Sequence, residues 1–225
     1  GEPDGLAAPC PDEVFAMGTL GRDHFLSCGY PKDRVHLTGS PRYDHVKAPV
    51  SASLAPNEKG LRLLIVASLD TTVEIDMVEA AWAAADGLPG VSLTVRDHPF
   101  SRVEKHPRFT RFAPRVAVSS KTLEEDISSA DVLLFTYSTV AEEAFLKGKP
   151  VWQWLPLSYN ASALVEACAV PQFSRADGLR QALKDFQENP KAFQPDLSLR
   201  KDACEKLFFR GDGLAAARIA QTLSQ

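Results

Sequence analysis

Apolar residues along this chain fall in short runs separated by stretches of helical periodicity. The run RLLIVASL at 62–69 is almost continuous in Leu, Ile and Val and predicts a strand covered on both faces. A helix rich in Ala and Glu is expected over 73–85, stopped by the turn DGLPG at 86–90. VSLTVRDHP at 91–99 alternates apolar and polar positions before it breaks at His98-Pro99, and predicts a second strand. A short third strand is expected near 115–118. KTLEEDISSA then reads as a short amphipathic helix, with Leu123 and Ile127 four apart on one face. DVLLFTY at 131–137, the helix STVAEEAFLKG and PVWQWLP at 150–156 supply a fourth strand, its crossover and a fifth strand. ACAVPQF offers a sixth, followed by the helix SRADGLRQALKDFQEN and two closing helices broken at 210–213.

Strands that alternate with helices predict the α/β class, a Rossmann-like parallel sheet flanked by helices. The first 45 residues stand apart: EVFAMG and DRVHLTGSP read as strands, GRDHFLSCG as a short helix, and 47–59 as a linker. Residues 1–45 are therefore expected to be the last elements of an N-terminal domain plus a hinge, and 46–225 a Rossmann-like domain.

Composition narrows the function classes. A net charge of -4 leaves no broad positive field, so no nucleic-acid partner is expected. Cys10, Cys28, Cys168 and Cys204 lie far apart, with no CxxC pair and no His at metal-ligand spacing, which fits a reducing cytoplasm and no metal. No apolar run approaches the roughly 20 residues of a membrane-spanning helix.

In open parallel sheets, ligands bind at the carboxyl ends of the strands. Ser68, Asp70, Thr71 and Thr72 end the first strong strand and open a helix, where they suit either an N-cap or contacts to a ligand. Arg96-Asp97-His98-Pro99 ends the second, and His98 can aim a ring nitrogen at an anionic oxygen. His106-Pro107 repeats the dipeptide without a strand before it. Tyr137, Ser138 and Thr139 end the fourth strand and are followed by a helix carrying Glu142 and Glu143. A helix N-terminus with hydroxyls makes a phosphate cradle, a nearby carboxylate can take ribose hydroxyls, and the same residues also suit a capping box. The absence of GxGxxG, GxxxxGK[ST], GxSxG and HExxH removes the main support for dehydrogenase, P-loop kinase, α/β-hydrolase and zinc protease readings.

Four pieces in order carry a resemblance: DRVHLTGSPRYDHV, the strand ending in His98-Pro99, SADVLLFTYSTVAEEAFLKGKPVW and LFFRGDGLAAARIAQTL. Together they resemble the C-terminal, donor-binding half of GT-B glycosyltransferases. Within that group they are most similar to the CDP-glycerol glycerophosphotransferases and the capsule and surface polysaccharide transferases. The resemblance implies a nucleotide-activated sugar or polyol-phosphate donor, cytidine-type in preference, and a surface polysaccharide acceptor. It gives His98 the catalytic contact to the donor phosphate. Ser138 and Thr139 would hold phosphate oxygens, with Ser68, Thr71, Thr72, Arg96, Tyr137, Glu142 and Glu143 completing the donor site. No metal or other cofactor is implied.

Asp97 stands where the family often has a basic residue. The acceptor half is expected to be missing from this chain, which alone would bind donor without efficient transfer. A UDP-sugar 2-epimerase-like enzyme shares the architecture, and a degenerate donor domain serving as an interaction module is a third reading. Trp152, Trp154 and Tyr159 are expected to serve packing rather than sugar stacking. The loop bearing Arg102, Lys105, Arg108, Arg111 and Arg115 reads as solvated, or as a surface for peripheral association with anionic lipid at the inner face of the membrane.

Overall fold

The computed structural model describes residues 11–46, 60–155, 162–167, 170–194 and 197–224. The expected linker at 47–59 and Tyr159 lie outside the described residues. In chain order the elements are β1 (Val14–Ala16), α1 (Thr19–Ser27), β2 (Val35–Leu37), β3 (Leu61–Val66), α2 (Thr71–Ala85), β4 (Val91–Arg96), β5 (Val116–Val118) and α3 (Leu123–Ser129). There follow β6 (Val132–Phe135), α4 (Thr139–Leu146), β7 (Val151–Trp154), α5 (Ala163–Ala167), β8 (Gln172–Phe173), α6 (Ala176–Glu188), α7 (Leu197–Phe208) and α8 (Ala215–Leu223).

Strands β3 to β8 form one parallel sheet in the order β5-β4-β3-β6-β7-β8. The chain lays strands outward from β3 through β4 to β5, then returns to β3 and builds β6, β7 and β8 on its other side. The reversal between β3 and β6 is a topological switch point, the place where open parallel sheets commonly bind ligands at their strand ends.

The side-chain pattern explains the layers. Leu63 and Ile65 of β3, Leu93 and Val95 of β4, and Val132 and Leu134 of β6 share a core with Ile75, Val78 and Ala81 of α2 and Leu179, Leu183 and Phe186 of α6. β3 is buried on nearly its whole length, as its continuous apolar run requires, whereas β4 buries only Leu93 and Val95. Trp152 and Trp154 are 1% and 7% exposed, and the Trp152 ring lies 5.4–5.9 Å from those of Phe173, Phe186 and Phe193. These two tryptophans therefore serve packing.

Among the described residues, the expected sixth strand is β8 at Gln172–Phe173, and Pro171 before it, which has no N–H, contributes its carbonyl to Gln153 N. Before β3, Gly60 adopts φ +99°, and its Cα approaches Gly90 so closely that a Cβ there would lie 2.1 Å from the Gly90 carbonyl oxygen.

The chain divides into two compact units, one of Gly1–Ala48, Glu166–Cys168 and Asp196–Gln225, the other of Pro49–Val165 and Ala169–Pro195. Residues 196–225 group with the first segment rather than with the sheet. Within that first unit, β1 and β2 pair in parallel. Asp44 accepts the backbone N–H of Ala215 and of Ala216, each at 2.9 Å, and so caps α8. The segment GSPRYD and the turn RGDG, far apart in sequence, are thus held together. No helix among the described residues is long and apolar enough to cross a membrane.

Candidate functional site

Parallel pairing puts the loops after β3, β4 and β6 at one end of the sheet, with the β3 loop in the middle. At an inter-strand spacing near 4.8 Å, the β4 and β6 ends lie about 10 Å apart, a span that a diphosphate with its sugar can bridge.

The β3 loop is occupied by its own structure. The Asp70 carboxylate accepts the N–H of Thr72 at 3.0 Å and of Val73 at 3.3 Å, capping α2 and placing a negative charge over its N-terminus. Ser68 is buried and donates to Glu74 Oε1 at 2.5 Å. Thr71 and Thr72 form the first turn of α2, Thr72 on its exposed side.

At the end of β4, Arg96 turns toward α3. It donates to the buried Asp126 carboxylate at 2.7 Å and to the Lys121 carbonyl at 2.9 Å. The Asp97 carboxylate accepts Val103 N at 3.0 Å, and its burial raises its pKa against that hydrogen bond. His98 Nδ1 accepts the Phe100 N–H at 3.2 Å, and the imidazole leans on the Phe100 ring at 5.8 Å. With Nδ1 used as an acceptor, the neutral ring carries its proton on Nε2. His106 makes the same local turn with Arg108 N, but as the cap of a 3-10 turn, so it is built into a structural role.

At the end of β6, Tyr137 is 41% exposed, and Ser138 is the N-cap of α4, its hydroxyl accepting Val140 N at 3.3 Å. Burial, with Asp70 and Glu74 nearby, raises the Tyr137 pKa and keeps the phenol protonated. Thr139 is exposed at the first position of α4, while Glu143 forms an ion pair with Lys147 at 3.1 Å. Glu142 lies in the first turn of the same helix.

The two helix N-termini at this end differ in charge. Asp70 caps α2 with a carboxylate, whereas Ser138 caps α4 with a neutral hydroxyl, and the first-turn carboxylate of α4 is that of Glu142 rather than of the capping residue.

A network that the sequence did not disclose lies under this edge. Glu74 is 1% exposed, and its Oε1 accepts both the Ser68 hydroxyl and, at 2.7 Å, the Thr136 hydroxyl. Gln153 of β7 donates to the Thr136 carbonyl at 2.8 Å and accepts from Gln172 at 2.7 Å. Burial is the largest influence on Glu74 and raises its pKa, with Asp70 acting in the same direction and the two hydroxyls opposing. One signal for Glu74 was present in the sequence. It falls in phase with the buried Val78, Ala81 and Ala85, so a carboxylate occupies the apolar stripe of α2.

The arginine loop is neutralised locally. Arg108 pairs with Asp76 and Glu79, Arg111 with Glu79, Arg115 with Asp86 and Arg102 with Glu104. A cavity of about 370 Å³ on the flank of β4 and β5, lined in part by Ser92, Thr94, Ser119 and Lys121, includes none of the residues singled out above at the ends of β3, β4 and β6.

The sequence matches no family model and no curated protein. In three dimensions, 95% of the chain superposes on 61% of the UDP-GlcNAc 2-epimerase of Neisseria meningitidis bound to UDP-GlcNAc, at TM-score 0.64 and 16% identity. It superposes over 95% of its length on 55% of the wall teichoic acid polymerase TagF soaked with CDPG, at TM-score 0.58 and 14% identity. HepE of Anabaena, in complex with UDP-glucose, is matched over 97% of this chain and 65% of its own, at TM-score 0.58 and 16% identity. The fold is GT-B-like. These GT-B-like neighbours are longer, and the present chain spans between 55% and 65% of their lengths.

Proposed function

We propose that this chain is the donor-binding half of a GT-B-type transferase. It would grip a nucleotide-activated sugar or polyol-phosphate, cytidine-type in preference, for transfer to a surface polysaccharide acceptor. The observation that carries the reading is the pairing of His98 and the α4 N-terminus on either side of the switch point, at one end of a parallel sheet. His98 offers the Nε2–H donor and the α4 N-terminus offers backbone N–H donors with the positive end of its dipole, while the α2 N-terminus between them is capped by the Asp70 carboxylate.

A donor diphosphate or phosphate gains negative charge as the transferred group departs, and prearranged donors stabilise that charge without reorganising. Ser138 and Thr139 would hold phosphate oxygens, and His98 Nε2–H would donate to another. Charge stabilisation of this kind needs no metal. Tyr137, Glu142 and Glu143 are the residues nearest in sequence to contact the nucleoside. The acceptor and its general base are supplied, in this reading, by groups other than those named here.

The solved neighbours with bound nucleotides support a nucleotide donor but divide over the base, since TagF was soaked with CDPG and the epimerase and HepE hold uridine nucleotides. A melting-temperature panel with CMP, CDP, UMP and UDP tests the proposal. A larger shift with the cytidine nucleotides is expected. A uridine preference would favour the epimerase-like reading, and no shift at millimolar nucleotide would leave an interaction module.

A further inference from the structure

Glu74 breaks a packing rule at an informative place. Its Oε1 serves Ser68 and Thr136, but its Oε2 is buried and has no hydrogen-bond partner among the described residues. Buried polar atoms are nearly always paired, and an apolar side chain here would continue the stripe of Val78, Ala81 and Ala85. Where a sequence departs from such a rule without local gain, the reason is often a functional one.

We propose that Glu74 is a positioning residue of the donor site. Its Oε1, shared by the two hydroxyls, sets the spacing of the β3 and β6 loops and so the aim of Ser138 and the α4 N-terminus. The inference rests on the reading of that N-terminus as the phosphate site. Thr136 lies two residues before Ser138 and is held from two sides, by Glu74 through its hydroxyl and by Gln153 through its carbonyl. Loss of the Glu74 contact frees the loop on one side only, so the domain keeps its fold while the helix start loses its register.

What matters is the acceptor oxygen rather than the charge. Glu74→Gln retains an oxygen for both hydroxyls, whereas Glu74→Leu keeps most of the volume and removes it. The test is calorimetric titration of wild type and both variants with CDP and UDP, with hydrogen exchange of residues 136–146 measured without nucleotide. Glu74→Gln is expected to bind within about 2-fold of wild type and Glu74→Leu about 10-fold more weakly, the loss of roughly one good hydrogen bond. Exchange at 136–140 should quicken in Glu74→Leu and be restored in Glu74→Gln.

Equal affinity in Glu74→Leu, or equal loss in both variants, overturns the proposal. If wild type binds neither nucleotide, the donor reading fails by itself. The exchange comparison then decides whether Glu74 holds the loop, with equal rates in all three proteins overturning it. Should Glu74→Leu not fold, the double variant Ser68→Ala, Thr136→Val removes the same contacts from the hydroxyl side and is read in the same way.

Discussion

The Thr136 hydroxyl donates to the Glu74 carboxyl at 2.7 Å, so the helix that follows β3 is hydrogen-bonded to the end of β6 across the point where the sheet reverses. That buried polar contact braces the loop that carries Tyr137 and Ser138 at the point where the sheet reverses.

Capping and phosphate binding by Ser138 can be separated with Ser138→Asp. Aspartate is at least as good an N-cap as serine and favours the positive end of the helix dipole, so the melting temperature should hold or rise. The added negative charge occupies the place proposed for phosphate, and nucleotide affinity should fall by about 10-fold or more, as calorimetry would read. Unchanged affinity would leave Ser138 a cap alone.

His98→Ala should weaken nucleotide binding by about 10-fold, the value of one hydrogen bond to a charged group. His106→Ala is the matched control, since His106 makes the same turn with the N–H two residues on but caps a 3-10 turn. Equal effects of the two substitutions on affinity would remove His98 from the site.

The raised pKa of Glu74 makes a signed prediction about stability. The folded protein holds this proton more tightly than the unfolded chain, so the stability Glu74 confers is complete at low pH. It is lost as pH rises from the ordinary carboxylate range through the raised folded pKa. Each unit by which burial raises the pKa is worth about 1.4 kcal/mol of that loss. Melting curves of wild type and Glu74→Gln should diverge in favour of the variant as pH increases, and parallel curves would show that Glu74 titrates normally.

Two glycines at the start of α1 should respond in opposite ways. A Cβ on Gly18 would sit 2.1 Å from the Lys206 carbonyl oxygen, so Gly18→Ala must push α7 away and should cost about 2 kcal/mol or more. Nothing lies within 4 Å of a Cβ on Gly21. Gly21→Ala, within the helix, should stabilise by roughly 0.5–1 kcal/mol. Urea titration of both variants checks the pair.

By itself the sequence determined the elements and their chemistry. Continuous apolar runs specified β3 and β6, alternation specified β4, and the turn residues marked where each strand ended, because burial period and backbone preference are local properties. Strand ends are where a parallel sheet binds ligands, so His98, Ser138 and Thr139 could be named as candidates without knowing which strands were neighbours.

Only the tertiary structure decided that β3 lies between β4 and β6, because strand order depends on hydrogen-bond partners that no local pattern encodes. It engaged Arg96 with Asp126, 30 residues on, and joined Glu74 to Thr136, 62 residues on. It also joined Asp44 to the N-terminus of α8, 171 residues away, and so drew the tail to the first segment rather than to the sheet. Each of these contacts satisfies a polar group that burial would otherwise leave unpaired, and which partner meets that need is settled only when the chain has folded.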